Sequence, residues 1–318
     1  MTHPMIIIPC SDRKRQVSGP KFLARNLSLG TVDNVAKSWA KAINSTTHNF
    51  TANQIYCGRA FSEAFKAADE CNAKLIVVSA GLGLVDMCLK IPTYGLTVAR
   101  GHPDSISSLV TQSPWTPAMW WASLKKTNSG IFDFSRLFEA NNPSLVLIHL
   151  TKQYARMVYE ELACLSSDQV AKVRLFGLGL EEFVPENLRK CILPYDHRMN
   201  GPDSSSGGTI TDFGARSIRH FVQLARDKGL ETGSLAQHKD LVERTLSHWD
   251  MPVKPDRQRL TDAQVIDFIT NNWDVVSGGS QKMLKLLRSS GNACEQARFK
   301  NLFSEAKKKL QTQLRLVL

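Results

Sequence analysis

The sequence predicts an α/β fold: a mostly parallel mixed sheet flanked by helices, followed by a small C-terminal helical module that resembles a helix-turn-helix. Three observations predict it. Short runs rich in Ile and Val end abruptly in polar or glycine-bearing segments, as buried parallel strands do. Amphipathic stretches with apolar residues three and four apart alternate with those runs. Beyond a Pro- and Arg-bearing stretch at 252–259, the apolar residues keep only the helical period.

Met5–Pro9 reads as the first buried strand, and Val32–Ile43 as a helix with Val35, Trp39 and Ile43 on one face. Gln54–Cys57 reads as a second short strand. Arg59–Glu70 follows as a helix carrying Phe61, Phe65 and Ala68 on one stripe. Lys74–Ser79 (KLIVVS) is a strongly β-branched strand that runs into the turn Ala80-Gly81-Leu82-Gly83-Leu84. An inserted helical segment is expected near 102–130, where Trp115, Trp120 and Trp121 suit packing better than base stacking. Ser144–Leu150 reads as a strand, 152–165 as a helix, and Val173–Gly177 and Cys191–Pro194 as two more short strands. A polar loop, Gly201–Gly208, leads into a helix over Thr211–Arg226 and another over Leu235–His248. The expected division is an α/β domain over 1–250 and a basic helical module over 260–318. That module reads as three helices: one capped by Thr261 and running through Trp273, one over 281–289, and one starting near Ala293.

Forty Lys and Arg against twenty-nine Asp and Glu leave a net charge of +11 in 318 residues, a balance that suits a polyanionic partner. From Val276 onward there are nine basic residues and two acids. The seven cysteines are odd in number, widely spaced and free of any CxxC pair, which implies reduced thiols in the cytoplasm and no metal site. No signal peptide is read at the N-terminus, and no apolar run reaches the about 20 residues that a membrane span needs. Walker A is absent, and Leu84, Val85 and Asp86 after Gly81 and Gly83 break any GxGxxG, so no cofactor is expected.

Ligands of open α/β sheets bind beyond the carboxyl ends of the strands. Three segments take that place: Cys10–Arg15, Ser79–Gly83 and Tyr195–Asp203. Cys10 ends a buried strand, and the cations that follow favour thiolate over thiol, so it is the candidate nucleophile. The competing reading is a half-buried strand Cys beside a phosphate-binding loop. Asp12 is a candidate to orient a base, and Asp196 to act as general base on water, the alternatives for both being turn capping. Ser11, Lys14, Ser79, Gly81, Gly83, Arg198 and Asp203 are the expected substrate contacts. Arg13 and Arg15 are expected to meet nucleic acid, as are Lys282, Lys285, Arg288, Arg298 and Lys300 in the C-terminal module.

Two stretches resemble known families. Ile55-Tyr56-Cys57-Gly58, Leu75–Ser79 with Ala80-Gly81-Leu82-Gly83-Leu84-Val85, and Ile91-Pro92-Thr93-Tyr94-Gly95-Leu96-Thr97 resemble the YaaA-like superfamily, which includes DNA-binding α/β proteins. Leu82 stands where an aromatic is common there, and Thr93 separates Pro92 from Tyr94. The start, Ile8-Pro9-Cys10-Ser11-x-x-Lys14, resembles the Pro-Cys-Ser-x-x-Lys element of archaeosine synthases, which act on the nitrile of 7-cyano-7-deazaguanine in tRNA; the later Pro-Tyr part of that motif is not evident. Both elements meet in the YaaA-like component of bacterial 7-deazaguanine DNA-modification systems. That resemblance implies hydration of the nitrile to the 7-amido form on double-stranded DNA, with the base flipped out and other members of the system as partners. It also adds Tyr94 to the expected substrate contacts. Two alternatives stand beside it: another base-modifying or base-excising enzyme that uses a carboxylate, and a non-catalytic DNA-binding protein of stress or defence.

Overall fold

Met5–Pro9 (β1) carries three successive Ile, so both of its faces are apolar, and Met5–Ile8 are buried. Such a strand belongs in the middle of a sheet covered on both sides. In the computed structural model, which describes residues 2–15, 17–45, 48–127, 133–253, 256–276 and 279–316, it takes that place. The other strands are Lys74–Ser79 (β2), Gly83–Asp86 (β3), Val146–His149 (β4) and Val173–Phe176 (β5). Their order is β3-β2-β1-β4-β5, with β3 antiparallel to β2 and every other pair parallel. The chain divides into two compact units, Met1–Pro252 and Val253–Leu318.

The first unit's main helices are Val32–Ile43 (α1), Arg59–Glu70 (α2), Pro117–Thr127 (α3), Lys152–Met157 (α4), Phe213–Asp227 (α5) and Leu235–Leu246 (α6). Thr31 caps α1 by accepting from the Asn34 amide. Helices α2 and α5 pack together, α2 over β1 and β2, α5 over β4 and β5. Helices α1, α3 and α4 form a second group. Gly214 lets α5 approach β4: a Cβ there would lie 1.9 Å from His149 Nδ1.

Three local expectations change. The stretch 54–57 is no strand, because Thr51 and Gln54 form a capping box that turns Ala52–Ile55 into one helical turn. Tyr56 keeps only a bridge to Lys14. The stretch 191–194 likewise contributes a single bridge, Leu175 to Ile192. The helix expected over 152–165 breaks at Val158 into Lys152–Met157 and Tyr159–Ala163. In the 102–130 segment, whose last residues lie outside those described, the tryptophans pack: Trp120 Nε1 donates to the Ala80 carbonyl and Trp121 Nε1 to Glu161, both at 2.7 Å.

Two buried arginines hold loops to this frame. Arg216 bonds Asp212 at 2.6 Å and reaches the Met199, Ser206 and Thr209 carbonyls and Asn200 Oδ1, so the polar loop at 201–208 is folded around its guanidinium. Arg174 donates to His238 Nδ1 at 2.8 Å and to the Ala171, Val173 and Gly233 carbonyls. Arginine only donates, so His238 Nδ1 accepts, and its Nε2–H goes to the Leu230 carbonyl at 2.7 Å.

Burial pushes His238 and His149 below the ordinary imidazole range, and pushes His220, against Tyr195 and Trp249, down to about 4. All three are neutral in the fold and ionise near pH ~6.5 when unfolded. Their contribution is complete above that pH and is lost as pH falls towards the folded values. Thermal unfolding followed by circular dichroism should therefore be flat above pH 7 and fall below pH 6.5. His220 alone accounts for roughly 2 kcal/mol by pH 5. A stability unchanged down to pH 5 would contradict this.

In the second unit, Thr261 caps Asp262–Asn271 (α7) through a capping box with Gln264. Ser280–Ser289 (α8) and Gln296–Leu316 (α9) follow, joined across Gly291 at φ +78°. Val265, Ile269, Met283, Leu287 and Phe299 are buried together. The last helix has 21 residues, longer than a helix-turn-helix reading anticipates, because no Gly or Pro follows Gln296 and good helix formers dominate. Among the described residues, no helix is long and apolar enough to cross a membrane.

Candidate active site

The Cys10 amide bonds the Val78 carbonyl at 2.9 Å, which ties the thiol to the carboxyl end of the central strand. On the neighbouring strand, β4, the chain passes Thr151 and enters α4, and Tyr154 points back. Its Oη lies 2.9 Å from Cys10 Sγ. Two adjacent parallel strands thus deliver a thiol and a phenol to one spot. Burial first, then the negative charge Cys10 can carry, push the Tyr154 phenol well above its ordinary range. The phenol keeps its proton and can donate it to the Cys10 sulfur.

The loop after Cys10 curls on itself. Ser11 Oγ lies 3.0 Å from the Arg13 carbonyl and 3.4 Å from that of Cys57. Lys14 Nζ returns to the Ser11 carbonyl at 2.8 Å and sits 4.2 Å over the Tyr94 ring. The Arg15 amide bonds the Ile55 carbonyl, closing the loop against the Tyr56 strip. Burial lowers the Lys14 ammonium's pKa, against the upward pull of negative charge at Cys10 and Asp12. A lysine moved towards neutrality beside a thiol is suited to proton transfer.

Ser79 anchors a second chain of bonds. Its Oγ accepts from the Gly81 and Leu82 amides, which fills both lone pairs, so its own hydrogen goes to Tyr94 Oη at 2.5 Å. Tyr94 in turn passes its hydrogen to Tyr56 Oη at 2.7 Å. Burial and the Cys10 charge raise the pKa of both phenols. A parallel pairing of Lys21–Leu23 with Thr93–Gly95 holds Tyr94 in place. Gly81 leaves room for it, since a Cβ there would lie 3.0 Å from the Tyr94 ring and 3.1 Å from Trp39.

The structure therefore gathers Cys10, Ser11, Lys14, Ser79, Gly81 and Tyr94. Gly83, at φ +80°, opens β3 opposite Ser79, a turn role rather than a substrate contact. Asp12 lies outside the buried cluster, exposed, with His102 Nε2 3.5 Å from its Oδ2. The Asp104 amide donates to His102 Nδ1, which leaves the Nε2–H facing Asp12. Arg13 and Arg15 are exposed at the same mouth, Arg13 running beside Gly58.

Asp196, Arg198 and Asp203 have other partners, and their expected roles are corrected accordingly. Asp196 caps the turn His197–Asn200 and pairs with Arg198 at 2.9 Å, while Arg198 Nη1 reaches the Leu246 carbonyl. Asp203 accepts from the Asp250 amide at 2.7 Å. Reading alone missed Tyr154, Tyr56 and His102. The available signal for Tyr154 was a tyrosine four residues beyond Leu150, on the helix that follows the strand.

In the second unit, Lys282, Lys285 and Lys300 are exposed. Arg298 is spent on Asp262 and the Leu260 carbonyl, and Arg288 on the Cys294 carbonyl, so both serve the helical packing. Among the described residues, no group of three or more His, Cys, Asp or Glu is placed to hold a metal ion. No protein-family model matches the chain, and neither a curated protein nor a solved structure is significantly similar to it.

Proposed function

We propose that the chain is a cytoplasmic DNA base-modifying enzyme of the YaaA-like, DpdC type, which hydrates the nitrile of 7-cyano-7-deazaguanine in DNA to the 7-amido form. One observation carries the reading: a thiol at a strand end, bonded to a protonated phenol and followed four residues on by a half-buried lysine. That set supplies a nucleophile, a donor that stabilises it, and an acid for the atom that receives negative charge.

The atoms balance as a hydration. Cys10 sulfur adds to the nitrile carbon, one C–N π pair moves to nitrogen, and Lys14 protonates that nitrogen to give a thioimidate. Water adds to the same carbon. Its first proton passes to nitrogen, leaving a tetrahedral carbon that bears hydroxyl, amine and sulfur. The hydroxyl proton returns to Lys14, the C–S pair returns to sulfur, and the amide departs. Tyr154 bonds the sulfur as it leaves, which lowers the cost of expelling a thiolate. Lys282, Lys285 and Lys300, with Arg13 and Arg15, meet DNA phosphates.

The test is to incubate the protein with a duplex carrying 7-cyano-7-deazaguanine, digest it, and analyse the nucleosides by mass spectrometry. A gain of one water is expected. Release of the free base would replace hydration with excision, and unaltered nucleosides despite salt-sensitive binding would leave a DNA-binding protein without this activity.

A further inference from the structure

At the carboxyl ends of β4 and β5 lies a pocket of about 290 Å³, walled by Leu150, Leu178, Ile210 and Phe213. His149 lines it, 6 % exposed. Its Nδ1 lies 3.0 Å from the Phe176 carbonyl, which can only accept, so Nδ1 carries the hydrogen and Nε2 keeps a lone pair. Among the described residues Nε2 has no hydrogen-bond partner, and His149 lines the pocket. Gly214 fits against the ring so closely that the imidazole cannot turn away. An aimed acceptor in an apolar hollow calls for a flat ligand with an N–H edge. At the small end of ligand pockets, which run from about 300 Å³ upward, the space suits a single heterocycle.

Lys152 stands at the rim, its ammonium 5.0 Å over the Phe183 ring and without a carboxylate partner among the described residues. Thr151 also lines the pocket, where the chain leaves β4 beside β1, the strand that Cys10 follows. We infer that this pocket receives the flipped-out base itself, with its apolar faces against Phe213 and Ile210, an N–H donated to His149 Nε2, and the adjoining phosphate near Lys152. The inference rests on the base-modifying function proposed above, and it names the subsite that function needs.

Ile210 is 72 % exposed, so Ile210→Asp alters the rim without disturbing the core. Calorimetric titration with free 7-cyano-7-deazaguanine, which carries no phosphate, should show at least tenfold weaker binding to Ile210→Asp than to the parent. His149→Phe, which keeps a ring but removes the acceptor, should weaken it similarly. Equal binding by the parent and Ile210→Asp overturns the pocket assignment, as does no binding of the free base to the parent. If Ile210→Asp weakens binding while the parent fails to hydrate modified DNA, the pocket stands and the nitrile chemistry falls.

Discussion

Cys10→Ala should lower hydration of the modified duplex by about 10³-fold or more, because it removes the sulfur that Tyr154 bonds and that attacks the nitrile. Retention of the duplex should be unchanged, since the cations at the mouth and in the C-terminal unit remain. Tyr154→Phe is the informative companion. It removes one hydrogen bond to a charged sulfur, a loss of about 1.5–3 kcal/mol, and so a fall of roughly ten- to a hundredfold. A Cys10→Ala protein that still converts the base at the parent rate would remove the thiol from the chemistry and leave this loop a binding element.

The largest effect on stability should come from Gly214→Ala. A methyl there would meet Nδ1, Cγ and Cε1 of His149 at 1.9–2.4 Å. That ring is buried on β4 and bonded to the Phe176 carbonyl, so it has nowhere to go. The helix must lift from the sheet instead, breaking packing made by Phe213, Ile218 and Phe221. A loss of about 3 kcal/mol or more is expected in urea unfolding. Gly207→Ala is the matched control. It has nothing within 4 Å of its Cβ position, and the change should stay within about 0.5 kcal/mol. Similar midpoints for the two variants would mean that α5 is not pressed on β4 as described.

How much of this was legible depended on the range of the force involved. Met5–Pro9, Val32–Ile43, Arg59–Glu70 and Lys74–Ser79 have the bounds that hydrophobic period alone indicates, because burial of one face is a repeating local property. The stretch 54–57 misled because a side-chain capping box, Thr51 with Gln54, outweighed a β-branched and aromatic composition. The loop after Cys10 was readable from a strand end followed by cations. Its decisive partner was not, since Tyr154 lies 144 residues away and only parallel pairing of β1 with β4 brings it close. Charges misled in the same way. Arg298 counted as a free cation in sequence, yet Asp262, 36 residues earlier, takes its guanidinium. Asp196 read as a loop carboxylate with a free hand, and Arg198, two residues on, occupies it.

Two indoles of the first unit end on neighbouring carbonyls of the turn that bears Ser79. Trp120 Nε1 donates to Ala80 and Trp39 Nε1 to Gly81, each at 2.7 Å, and both rings are buried. The same turn orients Tyr94 under the Lys14 ammonium. Trp39 and Trp120 are therefore native fluorophores wired to the floor of the thiol site, and any rearrangement of that floor alters the surroundings of two emitters with no label attached.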